Sequence, residues 1–431
     1  MDKFIIEGRH ALVGELKASG AKNAALPVMA AALLTSEPCI IDNVPMISDI
    51  RAMAELLVSL GCDVLVDEAR HRVTICAAHV DKLSISEALA SRMRASFLVT
   101  GPLLARFGEV EAPHPGGCSI GSRPVNVDIR GFLNMGAQVE QKGATYSLWA
   151  RGLTGRSIYL DYPSHTGTEN LLMAACLAKG RTVIKNASAE PEVVDLAEFL
   201  VRMGAHISGA GSSVIQVDGV DELYGIRHRV VPDRIEAGTF AIAAAITGGE
   251  VTLRDVVISH MDPLTYKLRE MGIEVVEGDR TYTVRGTKSL RSVELQTLPY
   301  PGFPTDLQAE FASLLTQANG ASIVHERIYD NRLLYAEELR KLGASIRVSG
   351  QTATIVGPTP LIGGTVKALD IRSGAALILA GLAAEGATEI ENVFHVYRGY
   401  EHLESKLRQL GATIERVTVE DVEPAVAKQR A

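Results

Sequence analysis

The sequence predicts an α/β protein made of six copies of one unit, three in each of two lobes, with helices inside and sheets outside. Three observations predict it. First, one short phrase recurs as Leu60-Gly61-Cys62-Asp63-Val64, Met135-Gly136-Ala137-Gln138-Val139, Met203-Gly204-Ala205-His206-Ile207, Met271-Gly272-Ile273-Glu274-Val275, Leu342-Gly343-Ala344-Ser345-Ile346 and Leu410-Gly411-Ala412-Thr413-Ile414; its glycines are 75, 68, 68, 71 and 68 residues apart. Self-similarity at a fixed period marks a repeated supersecondary unit. Second, an apolar run with a polar start lies 35 to 42 residues before each glycine. Third, the intervening runs alternate, as in Ala353-Thr354-Ile355-Val356, and read as half-exposed strands.

Each phrase follows an amphipathic run such as Val194 to Arg202. A glycine there fits a helix C-cap, where the chain turns through positive φ into a strand. The six apolar runs begin Lys22-Asn23-Ala24, Arg94-Ala95-Ser96, Glu169-Asn170-Leu171, Glu236-Ala237-Gly238, Asp306-Leu307-Gln308 and Arg372-Ser373-Gly374. Their bodies, such as Leu377 to Leu382, are apolar nearly all round, which predicts buried helices. Runs such as Tyr400 to Leu407 are charged on one side and predict outer helices. The unit is therefore strand, buried helix, strand, loop, outer helix, glycine turn and two strands, an inside-out α/β barrel when three units close. The polar starts of the buried helices should share a cleft, and helix N-termini there favour an anion. Residues 1–21 precede the first buried helix and are expected to pair with the C-terminal half. The segment Arg227 to Arg234, polar and containing Pro232, is a crossover. One lobe is then 1–21 plus 233–431, the other 22–232, with the site between them.

Composition narrows the function. Of 431 residues, 47% are hydrophobic but only 5% aromatic, so the core is aliphatic and rich in small side chains. A net charge of −8 argues against a nucleic-acid partner. A local cluster of cations inside an acidic whole still suits a small anionic substrate. The start, Met1 to Gly8, lacks the apolar centre of a signal peptide, and no run is long and apolar enough to span a bilayer. Five cysteines, an odd number without metal-ligand spacing, predict reduced thiols, no metal and a cytoplasmic protein.

The exceptions to the repeat carry the candidate chemistry. Unit two holds the longest loop, Glu111 to Pro124, where prolines and glycines flank Cys118 and Arg123 follows five residues later. Such a loop suits a mobile lid. A thiol on it beside cations acts as acid, base or nucleophile if its pKa is lowered; on the loop alone, a free surface cysteine is an equal reading. Cys39, Cys62, Cys76 and Cys176 sit in apolar or strand-like runs and read as packing. Lys22 puts a cation at the positive end of a helix, which favours a bound anion over a side chain merely reaching solvent. Arg332 and Arg398 lie in loops equivalent to the cysteine loop; each alone reads as a surface ion-pair partner, and together they suit a shared anion site. Asp306 is explained by the helix dipole alone, or as a general base facing a hydroxyl. His114, His165 and His260 are expected in loops, facing solvent.

In these residues the chain resembles the UDP-N-acetylglucosamine 1-carboxyvinyltransferases, a family of enolpyruvyl transferases. The resemblance rests on Ser19 to Pro27, Pro115 to Pro124, Pro232 to Glu236, Phe303 to Asp306 and Arg398 to Glu401, in order along nearly the whole chain. It implies the enolpyruvyl transferase fold and transfer of the enolpyruvyl group of phosphoenolpyruvate to the 3′-hydroxyl of UDP-N-acetylglucosamine with release of phosphate, the first committed step of peptidoglycan synthesis. It implies no cofactor, and phosphoenolpyruvate and the nucleotide sugar as the molecular partners. It assigns phosphoenolpyruvate to Lys22, Arg123 and Arg398. It assigns the nucleotide sugar to Asn23, Arg94, Arg123, Pro124, Val125, Asn126, Val127, Asp306 and Ile328, with Arg332 and Arg372 near the cleft. Cys118 would protonate the methylene carbon and be open to the epoxide fosfomycin; Asp306 would help deprotonate the hydroxyl. Two stretches depart from the family pattern: Asn126-Val127-Asp128 stands where Asp-Leu-His is common, and Asp161 to Thr168 replaces a more usual Val-Gly-Ala-Thr version. Both border the nucleotide in the family. Two alternatives remain at this stage: a different nucleotide-sugar acceptor, or a non-catalytic nucleotide-sugar-binding paralogue.

Overall fold

A computed structural model of the chain describes residues 2–116 and 124–418. Cys118 and Arg123 lie outside the described residues. The six repeats appear as six small sheets, five of four strands and one of three, each beside a buried helix and an outer one.

In chain order the helices alternate. Buried α1 (Lys22–Ala31) is followed by outer α2 (Ser48–Ser59). After a single turn, α3 (Glu87–Ala90), come buried α4 (Thr100–Phe107) and outer α5 (Asn126–Asn134). Buried α6 (His165–Cys176) precedes outer α7 (Pro191–Arg202), and buried α8 (Arg234–Thr247) precedes outer α9 (Asp262–Glu270). Buried α10 (Gln308–Leu315) and outer α11 (Tyr335–Lys341) form the fifth pair; buried α12 (Ile371–Ala383) and outer α13 (Leu403–Gln409) form the sixth. The composition explains the division. In α12, twelve of thirteen residues are buried, because Ala and Gly let neighbouring helices approach on every side. In α7, Val193, Leu196, Phe199 and Leu200 point inward while Arg202 stays out, which is one apolar stripe.

The boundaries differ from expectation in four places, the first being unit two, where Arg94–Val99 winds as a tighter 3₁₀ helix and α4 begins only at Thr100. Helix α6 starts at His165, four residues before Glu169, because Ser164 caps it by accepting the Gly167 N–H. Helix α8 starts at Arg234, capped by Asp233, which accepts the N–H groups of Ile235 and Glu236. In unit two the parallel edge strand shrinks to a single Ser84–Glu111 bridge, which leaves the three-stranded sheet.

All six phrase glycines take positive φ, from 91° to 111°. An L side chain there brings Cβ against the following carbonyl oxygen, so the repeat is selected by backbone sterics.

The buried side chains form two separate apolar cores. One gathers residues between Ala21 and Val230; the other joins Phe4 to Ala18 with Ile235 to Ile414. The N-terminal strand Asp2–Glu7 lies antiparallel between Ala387–Glu391 and Thr413–Thr418. Val13–Lys17 runs parallel to Glu250–Arg254. The expected pairing of the first residues with the C-terminal half is therefore present. The chain crosses between cores twice, and the crossings bond to each other: Ala21 N–H to Val231 C=O at 2.8 Å, Asp233 N–H to Ser19 C=O at 2.8 Å. The crossover segment is less polar in effect than its sequence suggests. Arg227–Arg229 is an edge strand beside Cys39–Asp42, and His228, Asp233 and Arg234 are buried.

Two of the repeated glycines make a test. A Cβ at Gly136 meets nothing within 4 Å, whereas at Gly61 it would lie 2.6 Å from the His79 carbonyl oxygen. Gly136→Ala should cost about 1–2 kcal/mol from the backbone alone. Gly61→Ala should cost about 1–3 kcal/mol more, because the clash adds to that strain. Denaturant unfolding of both variants checks this; equal losses would contradict it.

Candidate active site

Between the two cores lies a cavity of about 680 Å³. Its lining draws on both: Lys22, Asn23, Asp49, Arg94, Pro124 and His165 from one side, Asp306, Ile328, Arg332, Arg372 and Arg398 from the other. The starts of α1, α6, α8 and α12 all contribute residues, so the polar helix starts do converge.

Asp306 sits in the one-turn helix Thr305–Leu307 that leads into α10. Its Oδ1 accepts from Arg332 at 2.8 Å and its Oδ2 from Arg372 at 2.9 Å. Burial alone would raise this carboxyl. The Arg372 and Arg332 guanidiniums more than reverse that and hold it well below the usual carboxylate range. Neither arginine is a surface ion-pair partner, since both are about 5% exposed. Arg372 also donates to the Tyr400 hydroxyl at 2.9 Å, which in turn donates to Glu310 at 2.9 Å. Burial pushes Glu310 up to about 8, against the pull of the Arg372 charge and the Tyr400 hydrogen bond. Asp370 completes the support by capping α12 through the Arg372 and Ser373 N–H groups.

On the opposite wall, α1 has no side-chain cap and no acid in its first turn. Lys22, 9% exposed, points its ammonium at Asp49 at 2.7 Å. Arg398 reaches the same carboxylate from the other core, Nε to Oδ1 at 3.0 Å. Burial raises Asp49, and the charges of Lys22 and Arg398 overcome it, so the carboxyl lies below its ordinary value. Arg94 donates to the Pro124 carbonyl at 2.9 Å and so anchors the end of the cysteine loop. Ile328 is held by buried Glu326, which accepts its N–H at 2.7 Å.

The structure brings together Lys22, Asn23, Arg94, Pro124, Asp306, Ile328, Arg332, Arg372 and Arg398. Val125, Asn126 and Val127 are outside the lining: both valines are buried in the core and Asn126 opens α5. Of the other cysteines, Cys39, Cys62 and Cys176 are buried and Cys76 is half-buried.

His165 corrects the sequence reading. It is the first residue of α6, lines the cavity and pairs with Glu169 at 3.1 Å. His260 is likewise half-buried, in the short helix Ile258–His260, while His114 is exposed. Sequence reasoning also missed Asp49, Glu190 and Arg234. Arg234 crosses between the cores to Glu190 at 2.6 Å and Glu192 at 3.0 Å. The available local signals were slight: Ser164 as a cap, and Pro232-Asp233 before a helix.

Comparison with known proteins fits this geometry. The family model described as EPSP synthase (3-phosphoshikimate 1-carboxyvinyltransferase) matches residues 6–407. A UDP-N-acetylglucosamine 1-carboxyvinyltransferase of Finegoldia magna is 48% identical, over 95% of this chain and 97% of its own. The chain belongs to this transferase family. UDP-N-acetylglucosamine 1-carboxyvinyltransferase 2 of Carboxydothermus hydrogenoformans is also 48% identical, over 97% of this chain and all of its own. Among solved structures, the enolpyruvyl transferase NikO from Streptomyces tendae superposes with a TM-score of 0.88 at 26% identity, covering 97% of this chain and 99% of its own. EPSP synthase from Acinetobacter baumannii, at 19% identity and a TM-score of 0.77 over 97% of this chain and all of its own, shares the fold. The enolpyruvyl transferase fold is thus the observed one. No helix among the described residues is long and apolar enough to cross a membrane.

The His165–Glu169 pair makes a pH prediction. Burial lowers the imidazole pKa, but the Glu169 carboxylate outweighs it and raises it to about 9. A folded-state pKa above the ordinary value stabilises the fold fully below about pH 6.5, and that stability is lost as pH rises through 9. Between pH 6 and pH 10 the wild type should lose about 3 kcal/mol relative to His165→Gln. Urea titrations at a series of pH values test this; parallel stability curves would contradict it.

Proposed function

We propose that the protein transfers the enolpyruvyl group of phosphoenolpyruvate to the 3′-hydroxyl of UDP-N-acetylglucosamine, releasing phosphate, in the first committed step of peptidoglycan synthesis. The observation that carries this reading is the meeting of Lys22 and Arg398, from opposite cores, beside an Asp306 clamped by Arg332 and Arg372. The 48% identity to relatives named for this reaction supports it. Both substrates are cytoplasmic small molecules, which puts the reaction there.

Phosphoenolpyruvate carries a phosphate and a carboxylate on three carbons. Guanidiniums offer paired donors and an ammonium a point charge, and a mixed set grips both groups at fixed angles. Cys118 gives its thiol proton to the methylene carbon C3, and positive character develops at C2. The sugar hydroxyl oxygen bonds to C2 while Asp306 accepts a hydrogen bond from that hydroxyl, whose proton leaves with the phosphate. Loss of phosphate from C2 and return of a proton from C3 to the Cys118 thiolate then restore the double bond as a vinyl ether and the thiol for the next turnover. Acid and base act on opposite sides of one small molecule, which a cleft between two lobes permits. Asp306, held far below the ordinary carboxylate range, stays ionised at any working pH. It therefore works chiefly by accepting a hydrogen bond that aligns the hydroxyl. Closure of the two lobes over the substrates excludes water.

Phosphate release should require both substrates together. General acid catalysis contributes about 10²–10⁴-fold, so Cys118→Ala should lower kcat by that order. A coupled phosphate assay measures this. Unchanged turnover in the variant would remove the thiol from the mechanism. Release with phosphoenolpyruvate and another nucleotide sugar, but not with UDP-N-acetylglucosamine, would reassign the acceptor.

A further inference from the structure

Asp49 occupies the second position of α2. A carboxylate in a first turn is ordinarily explained by the helix dipole, which needs only an exposed side chain. Asp49 is instead 4% exposed, and each of its oxygens carries a cation. Oδ2 lies 2.7 Å from the Lys22 ammonium, and Oδ1 accepts from Arg398 Nε at 3.0 Å, with a longer contact of 3.4 Å from the same guanidinium to Oδ2. Lys22 and Asp49 belong to one core, while Arg398 lies between Val396 and Tyr400 of the other. One carboxylate therefore ties together, across the cleft, both described cations assigned to phosphoenolpyruvate.

The contact does not stand alone. Ser48 Oγ donates to the Tyr397 carbonyl at 3.2 Å, and the Met46 N–H donates to Glu401 Oε1 at 3.1 Å. The start of α2 is thus fastened to the Tyr397 to Glu401 segment at three successive points. Flexible lysine and arginine side chains lose rotamer freedom when a ligand fixes them, and binding weakens accordingly. A group that fixes them beforehand removes that cost.

We propose that Asp49 is a positioning residue for phosphoenolpyruvate: its carboxylate sets the Lys22 ammonium and the Arg398 guanidinium at a fixed spacing across the cleft, so that the three-carbon dianion meets both already aligned. This rests on the transferase reading above. With Asp49 ionised, the three groups carry a net charge of +1, so they still attract an anion. Without it, the buried Lys22 and the half-buried Arg398 repel each other and part.

Steady-state phosphate release on the full-length protein tests the role with Asp49→Asn and Asp49→Glu, each substrate varied at saturation of the other. We expect Asp49→Asn to raise the KM for phosphoenolpyruvate tenfold or more and to leave that for UDP-N-acetylglucosamine within twofold. Asp49→Glu, which keeps the charge one methylene further out, should recover part of the loss. An unchanged KM for phosphoenolpyruvate overturns the proposal, as does a parallel rise in both KM values, which a merely structural role would give. If Asp49→Asn does not fold, the same split in Asp49→Glu decides. A wild type that releases no phosphate refutes the transferase reading itself; an active wild type with an indifferent Asp49→Asn refutes only the part given to Asp49.

Discussion

A cation taken out of water must be paired, and the seam between the two cores obeys that constraint throughout. Lys22, Arg234, Arg332 and Arg372 are each 9% exposed or less, and every one meets a carboxylate. Two of the carboxylates, Asp49 and Asp306, are each shared by two cations. The pairing gives the cleft a rigid charged lining without neutralising it. Seven lysine and arginine side chains line the cavity against five carboxyl groups, an excess where a small anion would enter, which is the electrostatic preorganisation that catalysis at a charged centre uses.

The inside-out architecture makes such a lining possible. Helices rich in Ala and Gly pack side by side in each core, and their starts are carried to one end. Each start brings main-chain N–H groups and a first-turn side chain. Placing two such bundles end to end, joined by two crossings that bond to each other, sets the helix starts of one against those of the other. The two crossings are short, so relative motion of the lobes bends few residues, and ion pairs such as Arg234–Glu190 and Arg398–Asp49 span the gap.

Much of this was legible in the chain. The six glycines reported the unit, because a helix that turns into a strand through positive φ admits little else. The all-apolar runs reported buried helices; Lys22 and Asp306 were singled out at helix starts, Arg332 and Arg398 in equivalent loops, and Arg372 only through the resemblance to the family. What stayed hidden was pairing between distant segments. Asp49 and Arg398 are 349 residues apart, and nothing near Asp49 separates a buried bridge from a helix-start acid. His165 looked like a loop residue because the polar stretch around it masks the start of α6; only the Ser164 cap marks the boundary, and only the fold supplies Glu169 as its neighbour in a buried turn. Arg332 read as a surface side chain because its burial depends on Asp306, 26 residues earlier at the start of the buried helix of the same unit.

The most direct test of the central idea, a dianion gripped by cations from both lobes, is a crystal structure with phosphoenolpyruvate and a UDP-N-acetylglucosamine analogue that lacks the 3′-hydroxyl. Hydrogen bonds from both Lys22 and Arg398 to phosphoenolpyruvate oxygens, at about 3 Å, are the predicted result. Phosphoenolpyruvate bound away from these two side chains, or held by residues of one lobe alone, would contradict the account.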